Sequence, residues 1–463
     1  MLTYDFQDVE GPLYEYIYKC MKLDILSGVL KPGEKLPSKR SFANNHGIST
    51  ITIQNAYDQL ISEGYVYAVE KKGYYVAKIA GLTKAALPVN ISYDIAIPKP
   101  VRYEVDLSNN GVHPDSFPFS VWTKVNRNVM ANRKDELMCV APAGGVRALR
   151  EAIARHLKSF RGMLVDPDQI IVGAGTEYLY GLIAELLGKD KVYVIENPGY
   201  RKLVNIYGQR GIVCRYTTID EYGVTLQGLH DSGAMVAHIC PNHHFPTGIT
   251  MPASRRYEVL SWANESQERY LIEDDYDSEF RADGKPIPTL FSIDGCEKVI
   301  YMNTFSKSLS PTIRISYMVL PSHLANRFYA TMSFYACTVS NFEQYTLAQF
   351  ISEGYFEKHI NRMRLYYRKQ RKLVIETIER SRLKNICEIL ENDSGLHFLL
   401  KLDTTLSDEE ITTQLLKNGI KLKALSEYTL EKTDRQHYFI INYSNIEIPK
   451  LEHALEIMAA ECN

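Results

Sequence analysis

Residues 299–314 read VIYMNTFSKSLSPTIR. Val299–Met302 is a short apolar run with strand character. It gives way to Thr304-Phe305-Ser306-Lys307-Ser308, a hydroxyl-rich turn around one lysine. Seven residues after that lysine, Arg314 supplies a guanidinium that can grip a phosphate through two parallel N–H bonds. A lysine after a strand is most often a solvated lysine, so the turn takes its meaning from its surroundings.

Upstream the same arrangement recurs. The run Tyr270–Ile272 leads into Glu273-Asp274-Asp275-Tyr276-Asp277, and Ile170–Val172 leads into Gly173-Ala174-Gly175-Thr176. Val192–Ile195 leads into Asn197-Pro198-Gly199-Tyr200, and Met235–Cys240 and Ile315–Leu320 are further apolar runs. Between them lie amphipathic stretches, such as Val146, Leu149, Ile153 and Leu157 with Arg147, Glu151, Arg155 and Lys158 opposite. Strands alternating with helices predict an α/β fold with a largely parallel sheet covered on both faces. Acidic residues at the carboxyl end of such a strand point into the ligand crevice. A glycine turn opening a helix, here Glu177–Leu187, is an anion site through its free N–H groups and the helix dipole.

Each piece is weak alone; in this order, each after its own strand, they match the demands of pyridoxal 5'-phosphate. Lys307 would bond the cofactor covalently as an aldimine, and Asp274 would hold the pyridine nitrogen protonated. Tyr276 would reach the phenolic oxygen, and Tyr200 would lie against the ring face. Gly175, Thr176, Thr304, Ser306 and Arg314 would surround the phosphate.

The first 77 residues have a different character. Residues 12–26 form an amphipathic helix with Leu13, Ile17, Cys20 and Ile25 on its apolar side. Ser38 offers an N-cap for a short helix that Gly47 breaks, and Ser49 caps the next, Thr50 to about Glu63. Two short helices around a glycine turn predict a helix-turn-helix, with Ile53, Ala56, Tyr57 and Leu60 facing inward. Tyr65-Val66-Tyr67 and Tyr74-Tyr75-Val76 then flank Lys71-Lys72-Gly73, a hairpin with a basic tip. Residues 78–104 hold three prolines without periodicity and are expected to be a linker, with 105–463 forming one two-lobed domain whose small lobe begins near 380.

Composition gives no hint of this division. The chain has 463 residues, 53 Lys and Arg against 55 Asp and Glu, and a net charge of -2. Residues 1–77 carry eight basic against nine acidic side chains, so no net basic footprint announces nucleic acid. The basic residues nevertheless fall where a reader would face DNA: Lys31, Lys35, Lys39, Arg40, Lys71 and Lys72. The N-terminus, MLTYDFQDVE, is acidic where a signal peptide would be basic, and no stretch approaches the ~20 apolar residues of a membrane span. The eight cysteines lie apart with no C-x-x-C, so a cytoplasmic chain with neither membrane contact nor bound metal is expected.

The stretch KPGEKLPSKRSFANNHGISTITIQNAYDQLISEGYVYAVEKKGYYV resembles the winged helix-turn-helix of GntR regulators. That resemblance implies DNA contacts at Lys39 and Arg40, at Thr50, Thr52 and Gln54 on the recognition helix, and at Lys71, Lys72 and Gly73 in the wing. The family often has Arg where Thr50 and Gln54 stand, and Gln54 would favour adenine. The rest resembles fold-type I aminotransferases. The matches include Phe117-Pro118, Pro142-Ala143-Gly144-Gly145, Asn197-Pro198-Gly199-Tyr200, Pro246-Thr247-Gly248, residues 273–280, Thr304-Phe305-Ser306-Lys307 and Arg314. Together the two halves resemble the MocR/GabR regulators. That implies a homodimer, swapped head-to-tail, that binds an operator in double-stranded DNA and senses a small amino compound at Lys307.

Two departures bear on function. Aminotransferases commonly carry Asn where Phe245 precedes Pro246, which weakens the case for efficient transamination; His244 stands beside it. The GABA-responsive branch holds its ligand's carboxylate with two arginines, which align here with Lys202 and, loosely, Glu427. Glu427 would repel a carboxylate, so GABA is not expected as the effector; Arg435 could serve as a substitute clamp, but an exposed structural arginine is the role expected of it first. A working aminotransferase with an attached reader, and a sensor of pyridoxal phosphate itself, are the alternatives.

Overall fold

The computed structural model describes residues 4, 6, 11–79, 95–99, 101–109, 111–281, 287–390, 395–430 and 436–462. The chain divides into two compact units, Met1–Pro100 and Val101–Asn463. Most of the expected linker, and Arg435, lie outside the described residues.

In the first unit, helices Leu13–Ser27, Lys39–His46 and Thr50–Ser62 pack around Ile17, Met21, Phe42, Ile53, Tyr57 and Leu60. Both serine caps form. Ser38 Oγ accepts from Ser41 N at 3.1 Å, and Ser49 Oγ accepts from Ile51 N at 3.2 Å. Gly47 ends the middle helix at φ +66, a conformation that favours glycine. The chain then forms an antiparallel hairpin, Val66–Val69 with Gly73–Val76, and Lys35 bridges its second strand at Tyr75.

The second unit is built on an eight-stranded sheet. Its spatial order is Ile170–Gly173, Ser316–Val319, Val299–Thr304, Tyr270–Asp274, Val236–Ile239, Tyr193–Asn197, Cys214–Asp220 and Gly223–Val224. The sheet is mixed: Ser316–Val319 runs antiparallel to both neighbours, and the edge strand Gly223–Val224 to Cys214–Asp220. Both faces are covered, as near-continuous apolar strands require. Ile171, Ile300, Met302 and Met318 join one cluster, and Val172, Tyr301, Tyr317 and Val319 join the other. A second, four-stranded antiparallel sheet (Cys387–Leu390, His397–Leu402, Tyr438–Asn442, Lys423–Ala424) carries helices Asp408–Lys417 and Ile448–Glu461. The short strand Val105–Asp106 pairs in parallel with Ile420–Lys421, so residues from the start of this unit belong to its C-terminal lobe. Among the described residues, no helix is long and apolar enough to cross a membrane.

Candidate cofactor site and nucleic-acid interface

The strand Val299–Thr304 delivers Lys307 in a single helical turn, Phe305–Ser308. Thr304 is committed to building that turn: its Oγ1 accepts from Ser306 N at 3.1 Å and from Ser316 Oγ at 2.8 Å. Ser306 Oγ, by contrast, has no partner among the described residues. Burial draws the Lys307 ammonium down to about 8, against the opposing charge of Asp277.

Asp274 ends the neighbouring strand and is buried. Tyr180 donates its hydroxyl to Asp274 Oδ2 at 2.6 Å. His238 Nε2 lies 3.4 Å from the same oxygen, and its Nδ1 is 2.9 Å from the Tyr207 hydroxyl. His238 pairs in register with Ile272, two residues before Asp274, so the two side chains share a sheet face. Asp274 Oδ1 has no partner among the described residues. A buried carboxylate oxygen without a donor is costly, and a protonated pyridine nitrogen is the donor that would satisfy it.

A cradle for the phosphate stands at the helix Thr176–Leu187. Gly175 caps it at φ +91, and a Cβ there would sit 2.2 Å from Arg314 Nη2. Arg314 therefore approaches the turn at a distance only glycine permits. Its guanidinium engages Glu177, as does Lys202, and these cations hold the Glu177 carboxyl below its usual range, Lys202 foremost. Free amides at the helix start, Ser306 and Arg314 are the donor set a phosphate dianion needs.

Tyr200 is partly exposed, with its ring edge-on to Phe245 at 6.2 Å, and it feels the charges of Asp274 and Arg314. The Tyr276 hydroxyl lies 3.0 Å from His243 Nδ1, which is also 2.9 Å from Asp277 Oδ2. Gly395 packs flat on His243: a Cβ there would fall 1.7 Å from its Cε1. The His397 ring lies tilted beside His243, with centroids 4.8 Å apart; it is drawn down to about 3 by burial, so it is neutral and its Nε2–H donates to Pro246 O at 3.0 Å. His244 is enclosed, with Nδ1 2.6 Å from Thr247 Oγ1 and Nε2 3.5 Å from Glu196 Oε2. Burial pushes the Glu196 carboxyl up to about 8.

Of the residues matched to effector contacts, Lys202 is tied to Glu177. Glu427 turns back on its own turn, accepting from Ala424 N at 3.0 Å, and its carbonyl accepts from Arg201 at 3.1 Å. Asp277 stood in the acidic run without a role of its own, and sequence reasoning missed Tyr180, Tyr207, His238, Glu196 and His397. The lone histidine within the apolar strand Val236–Ile239 was the one visible signal among them.

In the reader, Arg40, Thr50, Gln54, Lys71 and Lys72 are exposed, and Thr52 is half-buried. Gly73, at φ +117, backs onto the Lys35 side chain, where a Cβ would meet Cε at 3.2 Å. Lys39 departs from expectation: its ammonium lies over the Tyr74 ring at 5.1 Å and 3.7 Å from Asp58. It faces the hairpin rather than standing free.

Residues 13–76 match the gntR family of bacterial regulatory proteins, and residues 104–458 match aminotransferase class I and II. The HTH-type transcriptional regulator YdeL of Bacillus subtilis is 35% identical, the match covering 90% of this chain and 89% of the relative. The chain belongs to the MocR-type regulators. The probable rhizopine catabolism regulatory protein MocR of Rhizobium meliloti is 29% identical over 96% of this chain and 93% of its own. Among solved structures, kynurenine aminotransferase of Pyrococcus horikoshii superposes with a TM-score of 0.67 at 22% identity, covering 77% of this chain and 90% of that one, which shows the fold. Members of this family pair a DNA-binding reader with an aminotransferase-like domain, whose cofactor is pyridoxal 5'-phosphate.

Proposed function

We propose that this regulator senses a small amino compound at Lys307 and converts its binding into a change in how the reader meets its operator. One observation carries the reading: a lysine drawn down to about 8 and a half-satisfied Asp274 are kept in a chain that also holds a winged reader whose second and third helices are capped by Ser38 and Ser49. Pyridoxal 5'-phosphate, when bound, supplies a reactive carbonyl carbon and an electron-withdrawing ring. The chain's own residues do the rest. Tyr180 and His238 fix the Asp274 carboxylate, while Tyr276 and the His243–Asp277 pair would orient the phenolic side and Gly175, Thr176, Ser306 and Arg314 would hold the phosphate. A small amine bound here would change the surroundings of buried Lys307, which the charge of Asp277 opposes, and would so have a means to favour one arrangement of the domain over another.

The proposal includes a cytoplasmic, head-to-tail homodimer whose readers cross to the partner chain. The likeness to MocR-type regulators supports that assembly. A monomer in sedimentation at micromolar concentration would contradict it. GABA is not the effector, because neither Lys202 nor Glu427 offers a free cation to a ligand carboxylate; tight GABA binding with a change in visible absorbance would contradict that.

A second reading is a working aminotransferase, favoured by the depressed Lys307 and the complete Asp274, Tyr276 and Arg314 set. Repeated turnover of amino acid and oxo acid pairs would establish it. A single half-reaction that stops after one equivalent supports the sensor.

A further inference from the structure

The recognition helix Thr50–Ser62 presents a face wider than the Thr50 and Gln54 that the resemblance marked. At 100° per residue, Thr50, Gln54, Asp58, Ile51 and Asn55 occupy one arc of about 140°, and all five are exposed. Ile53, Ala56, Tyr57 and Leu60 fill the opposite side and are buried. Thr52 falls outside the arc and is half-buried. Ile51 sits inside it with 69% of its surface exposed, whereas Ile53 and Leu60 of the same helix are buried and Ile61 is half-buried.

The chemistry of the arc is narrow. Gln54 and Asn55 are amides, the groups that match adenine N6 and N7 in the major groove. Ile51 and the Thr50 methyl are apolar, the match for a thymine methyl. The arc has no arginine or lysine, the groups that read guanine O6 and N7. Its one acid, Asp58, lies two turns in and faces Lys39 at 3.7 Å. The exposed cations stand around this face instead: Lys31 and Lys35 before the middle helix, Arg40 in its first turn, Lys71 and Lys72 at the hairpin tip. That placement suits phosphates on either side of a groove.

We infer that the recognition helix reads A·T pairs, with Ile51 seated on a thymine methyl and Gln54 and Asn55 on adenine edges. The inference rests on the DNA-binding reading above and adds what the DNA must be. Direct readout at the half-site is then carried by Ile51, Gln54 and Asn55, while Thr52 serves the helix flank.

The test uses the full-length chain and a randomised duplex library, followed by binding to one enriched duplex. The expected result is enrichment of A·T-rich half-sites in which replacing one thymine by deoxyuridine, which removes only the methyl, weakens binding about fivefold. Ile51→Ala, exposed and therefore harmless to folding, should bind thymine and deoxyuridine duplexes equally. Gln54→Ala should relax the preference for adenine. Enrichment of G·C-rich half-sites, or deoxyuridine duplexes bound by the unmodified chain as tightly as thymine ones, overturns the inference. Failure to enrich any sequence would instead overturn the DNA-binding reading itself.

Discussion

At the scale of the residue, Lys307 and Asp274 are prepared for their partners by burial, and each carries a measurable consequence. An amine attacks a carbonyl only when neutral, and Lys307 is drawn from 10.5 down to about 8. Capture of pyridoxal 5'-phosphate by the apoprotein should therefore accelerate as pH rises and level off above about 8, as followed by stopped-flow absorbance. An inflection near 10.5 would mean that burial does not act on this lysine. Tyr180→Phe removes one hydroxyl and leaves Asp274 Oδ2 with only the longer contact to His238. Loss of a hydrogen bond to a charged group is worth about 1.5 kcal/mol, so affinity for the cofactor should fall roughly tenfold in a fluorescence titration. Asp274 and Lys307 were legible in the sequence because each follows an apolar strand. Tyr180 was not, because it stands on a helix that only packing against the sheet brings to Asp274, and His238 showed only as a lone histidine in an apolar strand, whose place beside Asp274 is set by the register of two strands.

Elements decide which groups can approach one another. Gly175 holds φ +91 beneath Arg314, and both facts forbid a side chain there. Gly175→Ala should lower the melting temperature and weaken cofactor binding by more than tenfold, since the added carbon displaces the guanidinium from the cradle. Equal affinity in the variant would show that Arg314 does not grip the phosphate. In the reader, Arg40→Ala should weaken operator binding and reduce the slope of log affinity against log salt by about 1, because one phosphate contact is lost. The helices and hairpin of the reader were legible through Ser38, Gly47, Ser49 and Gly73, residues whose backbone demands are local. The strand Cys214–Asp220 was not: it lies next to the sheet's short edge strand, is half exposed and reads CRYTTID, with no apolar run to mark it. Nor does any local pattern show that Ser316–Val319 runs against its neighbours, because direction is set by how short the connection from Thr304 is.

For the whole molecule, a near-neutral net charge of -2 concealed two unlike parts. Cations cluster around one helix face at one end of the chain, while in the larger unit buried carboxyls at Glu196, Glu273 and Glu279 are pushed up to about 7 or 8 by the same desolvation that prepares Lys307. The account joins these parts through one event at Lys307. The most direct test follows full-length protein loaded with pyridoxal 5'-phosphate on a fluorescently labelled duplex enriched from a random pool, while the twenty standard L-amino acids and simple amines are titrated in. Visible absorbance and DNA anisotropy are read together. The account predicts that some amine changes both signals at the same concentration, and that Lys307→Ala loses both while still binding DNA. An anisotropy response that survives in Lys307→Ala would contradict it.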